Sequence, residues 1–249
     1  MRLRKISQEE LNKIIEDHQH WLKEDCEGWK NMRANLKDID LRGLDLSCTD
    51  LRSVDLSNTD LTYAILGCAD LRLADLRGAD LSNTDLSYTD LRGADLRLAD
   101  LTYADLRKAD LRCANLSCVN LSYADLRGAN LSEVNYNHLT AFLSLQCPEE
   151  GSFIGYKKSG NKIVKIRIEE DSKRSSATTR KCRASKVTVL SITSIDGKEE
   201  FQKAENTGDY SFTYEVGKTY EIDNFDEDRW NECSTGIHFF ITREEAVRY

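Results

Sequence analysis

The sequence predicts a repeat-built solenoid with an N-terminal helical cap and a small α+β domain after it. Three observations predict this. A five-residue period runs from Ala34 to His138 without an insertion. One amphipathic segment precedes it. The period stops shortly before Cys147 and Pro148, the only proline in the chain, and ordinary globular composition follows. Self-similarity at a fixed period decides the architecture before local propensity does. The expected domains are 1–33, 34–138 and 139–249.

The first segment reads "ISQEELNKIIEDHQHWLKEDCEGW". Ser7 followed three residues later by Glu10 has the pattern of a capping box. Leu11, Ile14, Ile15, Trp21 and Leu22 fall largely on one helical face, so a helix is expected over about residues 8–24. Seven basic and seven acidic residues cancel over 1–33. A stack of repeats cannot leave its terminal apolar layer wet. The helix is therefore read as the cover of that end.

The repeat divides into 21 consecutive pentapeptides. The central residue is Leu in each except the last, which has Tyr136. The residue before it is Asp in fifteen units, Asn in five and Ile65 in one. Two before the centre stands Ala in most units, otherwise Thr, Val, Ile or Leu. An aspartate beside a tight corner can accept nearby backbone N–H groups, as in an Asx-turn. Asn does the same without charge, so hydrogen bonding is part of what the position requires.

The units "ADLRG", "ADLSN" and "ANLSC" fit the A(D/N)LXX pattern, and the segment resembles the pentapeptide-repeat family over 105 residues. The resemblance implies an all-β solenoid, a right-handed quadrilateral β-helix with one pentapeptide per side. It also implies that the central residue and the residue two before it point inward. A coil rises by about 4.8 Å, so just over five coils make a rod about 25 Å long. The residues by themselves establish the five-residue period and not the four sides.

On that arrangement the outward residues stack in columns of twenty. One face carries Asp40, Asp60, Asp80 and Asp100 against Arg42, a net charge of -3, and stacks Tyr63, Tyr103 and Tyr123. The other three faces are each net -1, one of them with the ladder Arg52, Arg72, Arg92 and Arg112. Several members of the family imitate duplex DNA and occupy basic DNA-binding grooves. The resemblance therefore implies a non-enzymatic interaction module acting as a partial DNA mimic. The expected partner-binding residues are Asp40, Asp60, Asp80, Asp100, Tyr63, Tyr103 and Tyr123. The mimic is diluted: six net charges over about 25 Å is about one per 4 Å, against about one per 1.7 Å in duplex DNA. Ile65 in "AILGC" reads as a drifted repeat or local bulge, or else as an apolar contact.

The third segment contains "SFIGYKK", "KIVKIRI", "SKVTVLSI", "KTYEID" and "GIHFFI", all strand-like by alternation and β-branching. "TREEAVRY" reads as a closing helix capped by Thr242 and Glu245. "SKRSSATTRKCRAS" reads as a solvated basic loop or helix edge. The segment resembles a domain of unknown function that follows pentapeptide repeats in phage and bacterial proteins, through "CPEEGSFIGYKK", "KCRASKV", "YEVGKTY" and "CSTGIHFFITREEA".

Little else points to chemistry. Cys147, Cys182, Cys233 and His238 form a legal zinc set without zinc spacing, since no CxxC knuckle exists. His238 sits in an apolar run, where a core histidine is expected. "GIHFFITREEAVRY" resembles a strand–helix segment of ADP-ribosyltransferases, with His238 where those have Tyr. No phosphate-binding glycine loop, HExxH or GxSxG motif occurs.

The net charge of -8 argues against a general polyanion binder. No secretory or membrane-spanning run is evident, so a soluble cytoplasmic protein with free thiols is expected. The expected partner is a protein with a basic nucleic-acid-binding groove, a topoisomerase or a phage-defence nuclease by the resemblance. Neither direct nucleic-acid contact nor a cofactor is expected, and a homo-oligomer is compatible with the sequence. The competing expectations are a rigid scaffold presenting the C-terminal domain and an ADP-ribosyltransferase-like enzyme in that domain.

Overall fold

The structure, a computed structural model, describes residues 3–143, 145–205 and 213–249. It contains two compact units, Met1–Leu143 and Ser144–Tyr249. No helix among the described residues is long and apolar enough to cross a membrane.

The first unit is a four-sided β-solenoid. Parallel bridges link each residue before a centre to its counterpart twenty residues on, from Asn35–Asp55 to Asn115–Asn135. The four sides follow from that register. The central leucines from Leu36 to Leu126 and most of the residues two before them are buried. Asp90 N–H donates to Ala69 O at 3.0 Å, Leu71 N–H to Asp90 O at 2.8 Å and, at the corner, Leu73 N–H to Arg92 O at 3.1 Å, and this short set of bonds holds each side to the next coil. Where Thr replaces Ala inside, its hydroxyl is used. Thr59, Thr84 and Thr89 are buried, and each Oγ1 donates to a carbonyl of the preceding coil, at 2.7–2.9 Å.

Each corner is a tight turn. Ala74 N–H donates to Leu71 O at 3.0 Å across Arg72 and Leu73. The second corner residue of every unit from Asp38 to Glu133 has φ near +60°. A β-branched side chain is poorly tolerated there. None of these positions holds Val, Ile or Thr, although only four hold Gly.

The N-terminal end of the stack is covered by β1 (Arg4–Lys5), α1 (Gln8–Lys23) and a short 3-10 turn (Trp29–Asn31). β1 pairs in parallel with β2 (Ile39–Asp40). Ser7 caps α1 by accepting Glu10 N–H at 3.1 Å. The capping box expected there is only half made, because the Glu10 carboxylate turns to Arg4. Leu11 and His18 are the fully buried residues of the helix. His18 replaces an apolar contact by two polar ones: Nδ1 accepts Ala34 N–H at 3.2 Å, and Nε2 donates to Arg52 O at 3.1 Å.

The solenoid does not stop at His138. Asn120 bridges Ala141, a register of twenty-one, and Thr140 Oγ1 donates to Leu116 O at 2.8 Å. One extra residue enters after Tyr136, which breaks the sequence period while the stack continues to about Leu143.

The second unit is mostly antiparallel. A five-stranded sheet has β3 (Phe153–Ser159), β4 (Lys162–Ile168), β7 (Lys186–Ser194) and β11 (Thr219–Glu221) in line, with β8 (Glu200–Phe201) on β7. A three-stranded sheet orders β12 (Ile237–Phe239), β6 (Cys182–Ala184) and β5 (Arg174–Ser176). β9 (Lys203–Glu205) pairs with β10 (Thr213–Glu215), and α2 (Arg243–Arg248) closes the chain. The core joins Val164, Ile166, Ile168, Val187, Val189, Ile237 and Phe239. Gly155 lets β3 approach Phe239: a Cβ there would lie 2.6 Å from Phe239 Cδ2.

The basic segment read as a solvated loop is instead the β5–β6 hairpin, and much of it is buried. Arg183 is 1% exposed. Its guanidinium donates to the carbonyls of Asp226, Thr235 and Asp228 at 2.9–3.2 Å. A fully hydrogen-bonded guanidinium can be buried where an unpaired one could not, and local charge pattern does not reveal distant carbonyls.

Candidate protein-interaction surface

The aspartates of the rod are corner staples. In unit after unit Oδ1 accepts the N–H two residues on, as at Asp75, Asp80 and Asp100 at 3.2, 3.0 and 2.9 Å. Asn115, Asn120 and Asn130 make the same bond at 3.1 Å. The Asx geometry explains why Asp and Asn interchange.

A second use is added where Arg follows. Its Nε and Nη2 clamp the aspartate two residues back, for example Arg92 on Asp90 at 2.9 and 2.6 Å. Several also reach the aspartate of the next coil, as Arg72 does to Asp90 at 3.6 Å. These guanidiniums hold the carboxyls of Asp75, Asp95 and Asp110 below the usual carboxylate range. Such half-exposed pairs contribute little stability each. Their larger effect is that they neutralise the faces that carry them.

The expected acidic face divides in two. Asp40 is only 7% exposed, because β1 lies beside β2. Arg42 clamps it at 2.7 Å and reaches Asp60 at 3.3 Å. Asp80 and Asp100 are different. Their partners are the hydroxyls of Ser82 and Thr102, with no cation within ion-pair distance among the described residues. Asp38, Asp45, Asp55 and Asp85 also lack an arginine, but no two of them are bridged to each other. Asp80 and Asp100 are.

Beside this pair, Tyr103 stacks on Tyr123 with ring centroids 4.8 Å apart and planes 10° from parallel. Both are more than half exposed. Tyr63 is exposed too, but Asn83 separates it from Tyr103 in the column. Ile65 stays in register, bridging Asp45 and Asp85, so "AILGC" is a substituted repeat and not a bulge.

Sequence reasoning missed a groove of about 690 Å³ on the arginine-ladder face. Trp21, Leu22, Trp29 and Leu73 line it with Arg52, Arg72, Arg92 and Arg112. The tryptophans were visible in the sequence, but their meeting with the ladder depends on how α1 lies across the coils.

In the second unit the four residues of the zinc set divide. Cys147 and Cys182 are buried in the core, while Cys233 is exposed. His238 Nε2 donates to Glu232 O at 3.0 Å. Burial, with Lys181 nearby, drives its imidazole down to about 4.

Residues 34–72, 55–93, 79–117 and 114–135 match the family described as pentapeptide repeats, in 8 copies. Residues 143–246 match a family of unknown function, DUF5758. No curated protein matches the chain. Among solved structures, the chain is similar to HetL, a pentapeptide repeat protein involved in heterocyst differentiation regulation from the cyanobacterium Nostoc sp. strain PCC 7120, at 36% identity over 41% of this chain and 51% of that one, with a TM-score of 0.29. A pentapeptide repeat protein from the cyanobacterium Cyanothece 51142 is similar at 30% identity over 41% of this chain and 62% of that one, TM-score 0.28. Another from Nostoc PCC 7120 is similar at 30% identity over 56% of this chain and 86% of that one, TM-score 0.31. The chain thus spans 51% and 62% of the length of the first two.

Proposed function

Taking as premise that the chain belongs to the pentapeptide-repeat family and carries a DUF5758 domain after the repeats, we propose that its solenoid is a protein-interaction module. The docking patch is Asp80 and Asp100 with the stacked Tyr103 and Tyr123. The observation that carries this reading is the bridged carboxylate pair left without a cation on a rod whose other aspartates are mostly clamped. Asp60 and Tyr63 extend the patch, and Asp40 lies beneath it.

The partner that fits is the cationic groove of a nucleic-acid-acting protein, a topoisomerase in the first instance. Two carboxylates about 4.8 Å apart present neighbouring negative charges, and exposed tyrosines are favoured anchors at interfaces. The rod is a short acidic stretch more than a full imitation of duplex charge.

The test uses neutral substitutions. Asp80→Asn with Asp100→Asn removes both charges and keeps the corner staple, as Asn115 and Asn120 do naturally. The full chain should inhibit supercoiling by a type II topoisomerase, less so as salt rises. The double variant should lose about tenfold in potency, an energy of about 1.4 kcal/mol. Equal inhibition by both proteins would exclude this patch. Activity that survives every change to the rod would favour the scaffold reading.

A further inference from the structure

The chain reverses at the end of α1 and brings three metal-ligating side chains to one point. Glu24 ends the helix with φ of 55°, and its N–H donates to His20 O at 2.9 Å. This left-handed cap turns the backbone back on the last helical turn. Asp25 and Cys26 follow it directly, and Gly28, at φ of 81°, redirects the chain into the 3-10 turn. His20 Nδ1 meets Asp25 Oδ1 at 2.7 Å. Cys26 Sγ lies 3.7 Å from Met32 Sδ. The ligand atoms of His20, Asp25 and Cys26 all lie within 4.8 Å of one another. Among the described residues no other three His, Cys, Asp or Glu side chains converge in this way.

A half-exposed His–Asp pair stabilises little by itself, and it does not call for a thiol beside it. Imidazole nitrogen, carboxylate oxygen and thiolate sulfur together are a donor set of zinc. Tetrahedral bonds of about 2.0–2.3 Å hold such atoms about 3.3–3.6 Å apart, so side-chain adjustments of about 1 Å fit all three to one ion. Magnesium and calcium take oxygen ligands, and the sulfur selects against them. The charge matches as well. One carboxylate and one thiolate neutralise a divalent cation, and the imidazole adds nothing. His20 also stands in the last turn of α1, where the helix end favours positive charge. The His20 and Asp25 side chains are 43% and 42% exposed, which leaves an ion a way in, while Cys26 is partly buried.

We propose that His20, Asp25 and Cys26 form a zinc site with three protein ligands and water in the fourth position. As the Zn–S bond forms, the Cys26 thiol releases its proton to solvent. Asp25 supplies a carboxylate oxygen. His20 binds through Nδ1 and keeps its remaining proton on Nε2. The Met32 thioether packs against the thiol and is not a ligand. The bound ion pins the end of α1 to the turn that leads into the first coil, so it stabilises the cover of the solenoid by mass action. The site shares no residue with the rod patch.

The experiment titrates the reduced full chain with Zn2+ in competition with a chromophoric chelator, and with Co2+ as a spectroscopic stand-in. One zinc per chain, a thiolate-to-cobalt charge-transfer band and a higher melting temperature with zinc are expected. His20→Gln, Asp25→Asn and Cys26→Ser should each bind zinc at least about tenfold more weakly. Cys26→Ser should also lose the charge-transfer band. Cys233→Ser, which removes an exposed thiol elsewhere, should change neither property. The cobalt spectrum of the wild-type chain needs no variant to fold. A wild-type chain without that band, or a Cys26→Ser chain with the same band and the same zinc affinity, overturns the inference.

Discussion

Gln8 stands in for a strand beside Asp45. Its carboxamide donates to Asp45 O at 2.8 Å and accepts Asp45 N–H at 2.9 Å. These are the bonds a neighbouring coil would have made. Gln19 adds a donor to Asp50 O at 2.8 Å. An unpaired edge invites another chain, and here side chains of α1 close it.

Gln8→Ala should therefore weaken the solenoid by about 1–3 kcal/mol, since it leaves a backbone donor and acceptor unmet. Chemical denaturation of the full chain measures this. Gln8→Ala should also increase self-association by light scattering, and no change in either property would show that the edge is closed by other means.

The corner conformation sets a second expectation. Asn83 has φ of 57°. Asn83→Val should cost about 1–2 kcal/mol, because a β-branched side chain opposes the left-handed region. Asn83→Gly should cost nothing or stabilise slightly. Equal melting temperatures for the two variants would contradict the corner geometry.

Stability should fall in mild acid. Burial, only partly offset by the bond to Arg52 O, lowers the imidazole of His18 below its ordinary value of 6.5. His238 is lowered to about 4. The unfolded chain then binds these protons first as pH drops below 6.5. The contribution of both histidines is present above that value and is lost as pH falls toward their folded values. His18→Gln should flatten the dependence of melting temperature on pH between 7 and 5. An unchanged slope would mean that other groups carry it.

The staple and the ion pair can be separated at Asp95, whose Oδ1 accepts Arg97 N–H at 3.3 Å. Asp95→Asn should cost less than Asp95→Ala by about 1 kcal/mol, the value of one retained hydrogen bond. Urea midpoints compare them directly. Equal losses would assign the role of the residue to charge alone.

Gly155→Ala probes the second unit. The added methyl would meet Phe239 Cδ2 at 2.6 Å and Ile168 Cδ1 at 2.9 Å. Overpacking of this kind costs about 1–3 kcal/mol, and calorimetry of the full chain should show it without loss of the solenoid transition.

Much of the solenoid was legible because each of its requirements is local. Leu at the centre, a small residue two before it and an Asx staple between them recur every five residues, so the chain states its inward and corner positions repeatedly. One signal passed unread: the second corner position excludes β-branched residues from Asp38 to Glu133. The tyrosine column was readable as spacing, and the stacking of Tyr103 on Tyr123 follows from it. The strands β3, β4 and β7 were readable by alternation. The β5–β6 hairpin was not, because Arg183 is buried against carbonyls more than forty residues away, and Ser176 O accepts Arg229 from as far.

By itself, then, the sequence determined the period, the residues that fill the rod, and the excess of acid on one face. Only the tertiary structure decided which of those acids stay uncancelled. Register twenty sets Arg42 between Asp40 and Asp60, and β1 covers Asp40, while Asp80 and Asp100 meet the N–H and hydroxyl groups of Ser82 and Thr102 and no cation among the described residues. Composition counts charges, and the distances that pair them or leave them unpaired arise when segments far apart in the chain meet.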